Sequence, residues 1–285
     1  MTTLKQAWIG ARKALEAAGV DSPVIDARML LLGATGLNRM TLLTEPDRPL
    51  PDGSERVLAD FVERRARREP VAHILGRRAF WNLELLSDRR ALVPRPETEV
   101  IVDVVLRSAP AEAPLRVLDL GTGTGAILLA LLAERPAWSG VGVDISPEAL
   151  ALARENAALH ALTDRATLLQ GNWDGPVEGS FDVVVSNPPY IPTGDIAGLM
   201  PDVRDHDPHL ALDGGADGLD PYRHLFSVLP RLLKSGGLFA FEFGIGQGEA
   251  MRELARTTKG LVNVNIIRDL SDMERVVVGR AFLAA

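Results

Sequence analysis

Hydrophobic residues in the first 75 positions recur at helical spacing. Three- and four-residue steps, which define one face of a helix, connect Leu4, Ala7, Trp8, Ala11, Leu15 and Ala18. Gly19 suits the end of this helix, and Pro23 suits the first turn of the next. A further apolar face follows at Val57, Leu58, Phe61 and Val62. We therefore predict a small helical domain over residues 1–75, with a role in substrate recognition.

The pattern changes over residues 76–96. Short apolar runs stand on either side of a polar stretch at 87–90, which is typical of a hairpin. Pro94 and Pro96 then prevent regular strand pairing. We predict a hairpin or linker here.

From residue 97 onward, strand and helix patterns alternate. Apolar runs predict strands at 116–121, 140–145, 166–170, 181–186, 237–243, 262–268 and 274–282. Helical periodicity predicts helices at 97–108, 124–134, 147–160, 221–234 and 246–257. Such alternation indicates an α/β domain over 97–285, with a mainly parallel seven-stranded sheet covered on both faces. Only a short polar link separates the last two strands, so we expect that pair to be antiparallel.

A glycine-rich stretch follows the first predicted strand of this domain. Gly121, Gly123 and Gly125, with Thr122 and Thr124 between them, join that strand to a helix. Glycine lets the backbone turn sharply and approach a ligand closely, and the helix N-terminus offers free N–H groups. The stretch also fits the dinucleotide pattern G-x-G-x-x-A, so a NAD-linked enzyme competes at this point. A tight turn without a ligand is the structural alternative.

Two residues at the ends of the next strands complete a candidate cofactor site. Asp144 ends its strand and can accept hydrogen bonds from two ribose hydroxyls. Trp173 follows the third strand and can cover a flat base, although a tryptophan there can also serve only in packing.

The most informative motif is Asn187-Pro188-Pro189-Tyr190, directly after the strand predicted at 181–186. An amide nitrogen is a poor nucleophile because its lone pair is delocalised. The Asn187 side-chain oxygen and the Pro188 carbonyl can each accept one N–H of a substrate NH2 group and thereby aim that lone pair. The prolines fix the backbone, and Tyr190 can pack against the flat group. The alternative is a stiffened strand end with Asn in a turn.

Composition narrows the function classes. The chain contains no cysteine, which excludes disulfides, thiolate nucleophiles and Cys-ligated zinc and is compatible with a cytoplasmic location. Neither a signal-peptide core nor an apolar run of the roughly 18 residues that span a membrane is evident. The net charge is −7, and residues 101–285 carry the acidic excess, which argues against a grip on nucleic acid. The basic run at 64–68 predicts either a solvated helix face or a contact with RNA or an acidic partner.

Two further features lie beyond the motif. Acidic residues and histidines cluster at Asp202, Asp205, His206, Asp207 and His209. Their spacing fits no known metal-ligand set, so we predict a solvated loop and no metal. The long connection 191–220 beside the motif is typical of a substrate lid.

The chain resembles the release-factor glutamine methyltransferases (PrmC/HemK) over essentially its whole length. The resemblance is carried by residues 70–76, Phe80-Trp81, 94–99, 118–127, 185–191 and 274–280. Of these, Pro94-Arg95-Pro96-Glu97-Thr98-Glu99 is the most specific to the family. The resemblance as a whole implies a class I methyltransferase-like, doubly wound fold that follows a small N-terminal helical domain.

The same resemblance implies the chemistry. S-adenosylmethionine would be the methyl donor, bound by Gly121, Thr122, Gly123, Thr124, Gly125, Asp144, Trp173 and Asn187. The substrate glutamine would be bound by Asn187, Pro188, Pro189 and Tyr190, with Asn187 and Pro188 as the catalytic residues. It would be the glutamine of the Gly-Gly-Gln loop in class 1 peptide chain release factors, methylated at its amide nitrogen. We expect a monomer that binds neither nucleic acid nor membrane.

Three other functions compete. A glutamine methyltransferase of a ribosomal protein shares the Asn-Pro-Pro-Tyr motif but differs in the segment matching 95–99. A nucleic-acid methyltransferase of adenine N6 or guanine N2 would need a basic groove or a target-recognition domain, and neither is evident. A binding module without activity is disfavoured by intact Asn187 and Asp144.

Overall fold

The computed structural model describes residues 1–282, which form two compact units. The first comprises residues 1–77 together with the segment Met200–His206. The second comprises residues 78–199 and the chain from Asp207 onward.

Helices build the first unit, as the periodicity predicts. They are α1 (Leu4–Ala17), α2 (Pro23–Thr35), α3 (Arg39–Thr44), α4 (Ser54–Ala66) and α5 (Val71–Leu75). Thr3 and Gln6 form a capping box at the start of α1, and Pro23 opens α2. The core is formed by the apolar faces of these helices, including Leu4, Leu15, Leu30, Leu31 and Leu58.

The basic run at 64–68 lies at the end of α4, and its arginines are paired within the unit. Arg65 is buried, and its guanidinium contacts Asp26 at 2.7 Å and Asp202 at 2.6 Å. Arg64 pairs with Glu69, Arg68 with Asp21, and the exposed Arg67 with Glu63. The run is therefore not the uniformly solvated face that the sequence predicts, because Arg65 is buried, and these ion pairs favour a structural role over a contact with RNA.

The second unit contains the seven-stranded sheet. After a hairpin of β1 (Arg77–Phe80) and β2 (Leu83–Leu86), its strands are β3 (Arg116–Leu120), β4 (Ser139–Asp144), β5 (Ala166–Gln170), β6 (Phe181–Ser186), β7 (Leu233–Glu242), β8 (Leu261–Arg268) and β9 (Glu274–Ala281). Their order is β5-β4-β3-β6-β7-β9-β8. The strands β3 to β7 pair in parallel, whereas β9 is antiparallel to both of its neighbours. The predicted sheet is thus confirmed.

Helices cover both faces of this sheet. They are α6 (Glu99–Ser108), α7 (Ala126–Glu134), α8 (Pro147–Leu159), α10 (Asp220–Leu232) and α11 (Gly248–Thr257), while the short α9 (Pro201–Arg204) belongs to the first unit. One core joins α6, α7 and the hairpin to the sheet, and a second joins α10 and α11 to it. None of the helices within residues 1–282 combines the length and apolarity needed to cross a membrane.

Several element boundaries differ from the sequence prediction by one to four residues, and two of these differences have a local structural cause. Helix α7 begins at Ala126 instead of residue 124, because Gly125 adopts a left-handed φ of 83° and cannot continue a helix. Strand β7 begins at Leu233 instead of residue 237, since Leu233 already pairs with Phe181. Both differences arise where glycines obscure the hydrophobic pattern.

The buried ion pairs of Arg65 generate a stability prediction. Substitution Arg65→Met leaves Asp26 without its cation and Asp202 with only the longer contact to Arg68 at 3.9 Å, so we expect the unfolding free energy to fall by about 3 kcal/mol. Urea denaturation, with hydrogen exchange read in α1, α2 and α4, measures this loss. The matched control Arg67→Met removes an exposed pair and should change stability by less than about 0.5 kcal/mol. Equal losses in the two variants would contradict the structural role of Arg65.

Candidate functional site

A cavity of about 590 Å³ opens at the carboxyl ends of β3, β4 and β6. Parallel pairing places Leu120 beside Val143 and Asp119 beside Val185, so the three strands end at the same edge. The sequence-predicted residues that line it are Gly121, Thr122, Gly123, Thr124, Asp144, Trp173, Asn187 and Pro189. In open α/β sheets this edge is where ligands bind.

The glycine-rich stretch forms the wall of the cavity next to β3. Gly121, Gly123 and Gly125 all have positive φ, at 74°, 54° and 83°. A side chain at Gly125 would in addition come within 3.0 Å of Leu129. The backbone N–H groups of Gly121 and Thr122 both donate to the Val143 carbonyl at 2.9 Å, which fixes the turn against β4. Only glycine adopts these conformations without strain.

A buried carboxyl group supports this turn from below. Asp119 is fully buried at the end of β3 and accepts a hydrogen bond of 2.7 Å from the Thr122 hydroxyl. Its other oxygen, Oδ1, is buried without a hydrogen-bond partner among residues 1–282. Burial raises the pKa of Asp119 to about 7, and the nearby charge of Asp144 acts in the same direction.

Asp144 ends β4 and lines the cavity, and two backbone hydrogen bonds hold its carboxylate in place. Its Oδ2 accepts the Gly123 N–H at 2.8 Å, and its Oδ1 accepts the Ser146 N–H at 3.0 Å. Each oxygen retains a further lone pair for a ligand. Burial raises the pKa of Asp144, while these backbone hydrogen bonds favour its charged form. The carboxylate is therefore suited to accept two vicinal hydroxyl groups.

An aromatic surface lies beside β5. The Trp173 and His224 rings are 6.2 Å apart and tilted by 33°, and both residues line the cavity. Asp174 holds His224 through a contact of 2.7 Å to its Nε2 and also pairs with Arg231. A flat base can stack on such a surface.

Asn187 follows β6 at the same edge of the sheet. Its Nδ2 donates to the Thr98 hydroxyl at 3.0 Å, while the Ser186 hydroxyl donates to the Leu120 carbonyl at 2.6 Å and ties β6 to the glycine turn. Pro188 is buried, and the Tyr190 carbonyl accepts a hydrogen bond from Gln247. Burial raises the pKa of Tyr190 to about 12.

Not every predicted residue lines the cavity. Gly125 is the N-cap residue of α7, and neither it nor Pro188 nor Tyr190 lines the cavity. The cavity instead includes residues to which the sequence pattern gave no individual role, among them Thr98, Arg95 and His224. Thr98 and Arg95 stand in the Pro-Arg-Pro-Glu-Thr-Glu stretch, which was the only available signal for them.

The connection 191–220 contributes a further wall. Its residues Pro208, Leu210, Ala211, Asp213, Gly214, Gly215 and Asp220 line the cavity. Asp207 anchors this wall, because its buried carboxylate accepts hydrogen bonds from Arg95 at 2.6 Å and from the Val93 N–H at 3.2 Å. The prediction of a solvated loop is wrong for Asp202 and Asp207. The Asp207 side chain is buried and that of Asp202 nearly so, and each pairs with an arginine. Within residues 1–282, no group of three His, Asp or Glu side chains is arranged to hold a metal ion.

The geometry combines two functions in one cavity. The glycine turn, Asp144 and Trp173 provide for a ligand with vicinal hydroxyls and a flat base. Asn187, which follows the neighbouring strand β6, offers a directed amide in the same cavity, beside Pro189. The arrangement is suited to bring a donor and an NH2-bearing acceptor together.

Both parts of the chain are similar to known proteins. The family profile described as the PrmC N-terminal domain matches residues 6–76, and that described as a methyltransferase domain matches residues 111–268. The release factor glutamine methyltransferase of Caulobacter vibrioides is 53% identical over 97% of this chain and 96% of its own length. That of Agrobacterium fabrum is 42% identical over 98% and 97%. A methyltransferase from Pyrococcus furiosus shares the fold, with a TM-score of 0.52, 18% identity and coverage of 72% of this chain and 92% of its own.

The buried carboxyl of Asp119 predicts a pH dependence of stability. Its pKa in the folded chain, about 7, exceeds its ordinary value of 3.8, so the folded state binds the proton more tightly. Its contribution is therefore complete below pH 3.8 and is lost as the pH rises through about 7, by an amount on the order of a few kcal/mol. The buried Glu242, whose pKa is also about 7, acts in the same direction.

Urea denaturation between pH 5 and pH 8 tests this prediction. The unfolding free energy should fall with rising pH, and Asp119→Asn should make the fall shallower, because asparagine keeps the acceptor for Thr122 without the ionisation. The exposed Asp164→Asn is the control and should keep the slope. An unchanged slope in Asp119→Asn would contradict a buried, protonated carboxyl group.

Proposed function

Since the chain belongs to the release factor glutamine methyltransferases and is an S-adenosylmethionine-dependent methyltransferase, we propose that it methylates the glutamine of the Gly-Gly-Gln motif in class 1 release factors. The acceptor is the side-chain amide nitrogen, and the modification supports translation termination. The observation that carries this proposal is the position of Asn187 at the end of β6, in the same cavity as the glycine turn and Asp144. Because release factors act on ribosomes, the chain works in the cytoplasm.

The cofactor fits the residues present. The Asp144 carboxylate has lone pairs for the two ribose hydroxyls, Trp173 offers its ring to the adenine, and Gly121 and Gly123 leave the turn open to close approach. Thr122 and Thr124 flank these glycines, and Gly125 sets the start of α7. When bound, S-adenosylmethionine supplies an electrophilic methyl group.

Residues of the chain orient the nucleophile. The Asn187 Oδ1 accepts one N–H of the substrate amide, and the Pro188 carbonyl accepts the other, which turns the nitrogen lone pair toward the methyl donor. Pro189 lines the cavity beside the flat glutamine side chain, and Tyr190 follows it in the same motif. No strong base is needed before transfer, so the rate arises from orientation and electrostatics. The paired arginines at 64–68 give no support to a nucleic-acid substrate.

The proposal is tested with the purified chain, methyl-labelled S-adenosylmethionine and an unmodified class 1 release factor. We expect label on the factor and none on a factor carrying Gln→Ala in its Gly-Gly-Gln motif. Asn187→Ala in the enzyme should lower kcat by about 100-fold, the scale expected when a reacting group loses its orientation. Label on RNA or on a ribosomal protein instead would overturn the proposal.

A second prediction concerns Asp144. Its two oxygens face the N–H groups of Gly123 and Ser146. Asp144→Asn, although isosteric, must turn an NH2 group toward one of these donors and loses the charge. We expect S-adenosylmethionine to bind about 30-fold more weakly by calorimetry, equivalent to about 2 kcal/mol. Asp164→Asn, outside the cavity, should bind normally, and unaltered affinity in Asp144→Asn would exclude Asp144 as a ligand.

A further inference from the structure

The Asn187 side chain has two chemically different ends, and only one suits the proposed reaction. Its oxygen can accept the substrate N–H, whereas its NH2 group would oppose that N–H. The two ends have almost the same shape, so packing alone does not choose between them. A hydrogen-bonding partner of Asn187 must make the choice.

Thr98 is the first such partner. It ends the short 3₁₀ helix Pro96–Thr98, is buried, and its Oγ1 accepts the Asn187 Nδ2–H at 3.0 Å. A hydroxyl oxygen that accepts in this way keeps its own proton free to donate elsewhere. The donor and acceptor in the Asn187–Thr98 hydrogen bond therefore depend on which group accepts the Thr98 hydroxyl proton.

Glu242 lies behind both residues. It ends β7, where the register places Phe241 beside Ser186, so it is the neighbour of Asn187 across the sheet. Its side chain is 1% exposed and lies close enough to Thr98 and Asn187 for their side chains to favour its ionised form. Its Oε2 is buried without a hydrogen-bond partner in the described part of the chain.

The ionisation of Glu242 decides what this group can do. An ionised carboxylate only accepts hydrogen bonds, so both the Thr98 hydroxyl and the Asn187 NH2 must point toward it. A protonated carboxyl group can donate, which would allow the Asn187 amide to turn over. Burial raises the pKa of Glu242 to about 7, whereas the hydrogen bond from Thr98 and the charge of Arg275 favour the ionised form.

We propose that Thr98 and Glu242 are positioning residues that hold the NH2 end of Asn187 away from the cavity and so present its Oδ1 to the substrate amide. The proposal rests on the function proposed above for Asn187. Neither residue needs to touch the substrate, because each acts through the orientation of Asn187. Buried, fully connected polar groups are the usual means of locking such an orientation.

The first test compares three threonine substitutions. Thr98→Val keeps the shape of the side chain but can neither accept from Asn187 nor donate to Glu242, and we expect kcat to fall by about 100-fold. Thr98→Ser restores the hydroxyl and should recover kcat to within about threefold of wild type. Thr258→Val, which removes another hydroxyl that bonds only the Leu254 carbonyl, is the matched control and should retain activity.

Measuring cofactor affinity alongside kcat distinguishes a loss of orientation at Asn187 from a loss of folding. The affinity for S-adenosylmethionine, measured by calorimetry, should change by less than about threefold in Thr98→Val, because the ligand-facing carboxylate and glycine turn remain. An undiminished kcat in Thr98→Val, or a failure of Thr98→Ser to recover it, would overturn the proposal.

The second test is the pH profile of Glu242→Gln. Charged and titratable groups around Glu242 are Arg275 of β9, Glu97, and the tyrosines Tyr190 and Tyr222. Of these groups, Glu242 has the pKa near 7, so the wild-type kcat should rise as the pH increases from 6 to 8. Glutamine offers a donor at every pH, so the variant should have a lower kcat without this rise. A variant profile that rises as in the wild type would contradict the role of Glu242.

A substrate-free readout keeps this proposal distinct from the proposed function. The Asn187 side-chain NH2 protons should be protected from exchange in the NMR spectrum of the wild-type protein and exchange faster in Thr98→Val. If the wild-type enzyme labels no release factor, the proposed function fails, while this measurement still decides whether Thr98 holds Asn187. Equal exchange in the two proteins would refute the positioning role.

Discussion

The position of β3 between β4 and β6 is the constraint on which the cavity depends. Both pairings are parallel, so the glycine turn, Asp144 and Asn187 emerge at one edge although long stretches of chain separate them. A shift of one residue in either pairing would exchange the two faces of the strand and displace these groups. The buried Ser186 hydroxyl donates a hydrogen bond of 2.6 Å to the Leu120 carbonyl and so holds the end of β6 against the end of β3.

Two buried carboxyl groups lie at the same edge of the sheet. Asp119 and Glu242 are buried carboxyl groups whose pKa values are both raised to about 7 by their surroundings. Apolar side chains at these positions would avoid the desolvation cost. Their location, one beneath the glycine turn and one behind Asn187, accords with the tendency of perturbed titratable groups to cluster at functional sites. Burial of these two carboxyl groups thus lowers the stability of the fold at the positions that support the ligand-facing residues.

The sequence predicts the scaffold well because strand and helix periodicity is local. The seven strands, the antiparallel end of the sheet and the helical N-terminal region follow from spacing alone. The residues that support the site do not, since Thr98 and Asn187 lie 89 positions apart and meet only through the fold. For the same reason Asp202 and Asp207 look like solvated loop residues, although ion pairs with Arg65 and Arg95 bury or nearly bury them. Glycines hide the starts of α7 and β7, because they interrupt the hydrophobic pattern on which boundaries depend.

The proposed chemistry explains why such support is placed behind an uncharged residue. A substrate amide gains little from a strong base, because its lone pair, and not its proton, limits the reaction. An enzyme that works by orientation has few other means of acceleration, so small errors in the direction of Asn187 act directly on the rate. A neutral amide also has no charge to hold it in place, and its two ends are nearly equal in shape. The polar group formed by Thr98 and Glu242 supplies the distinction that Asn187 lacks, and its burial keeps water from competing for the same hydrogen bonds.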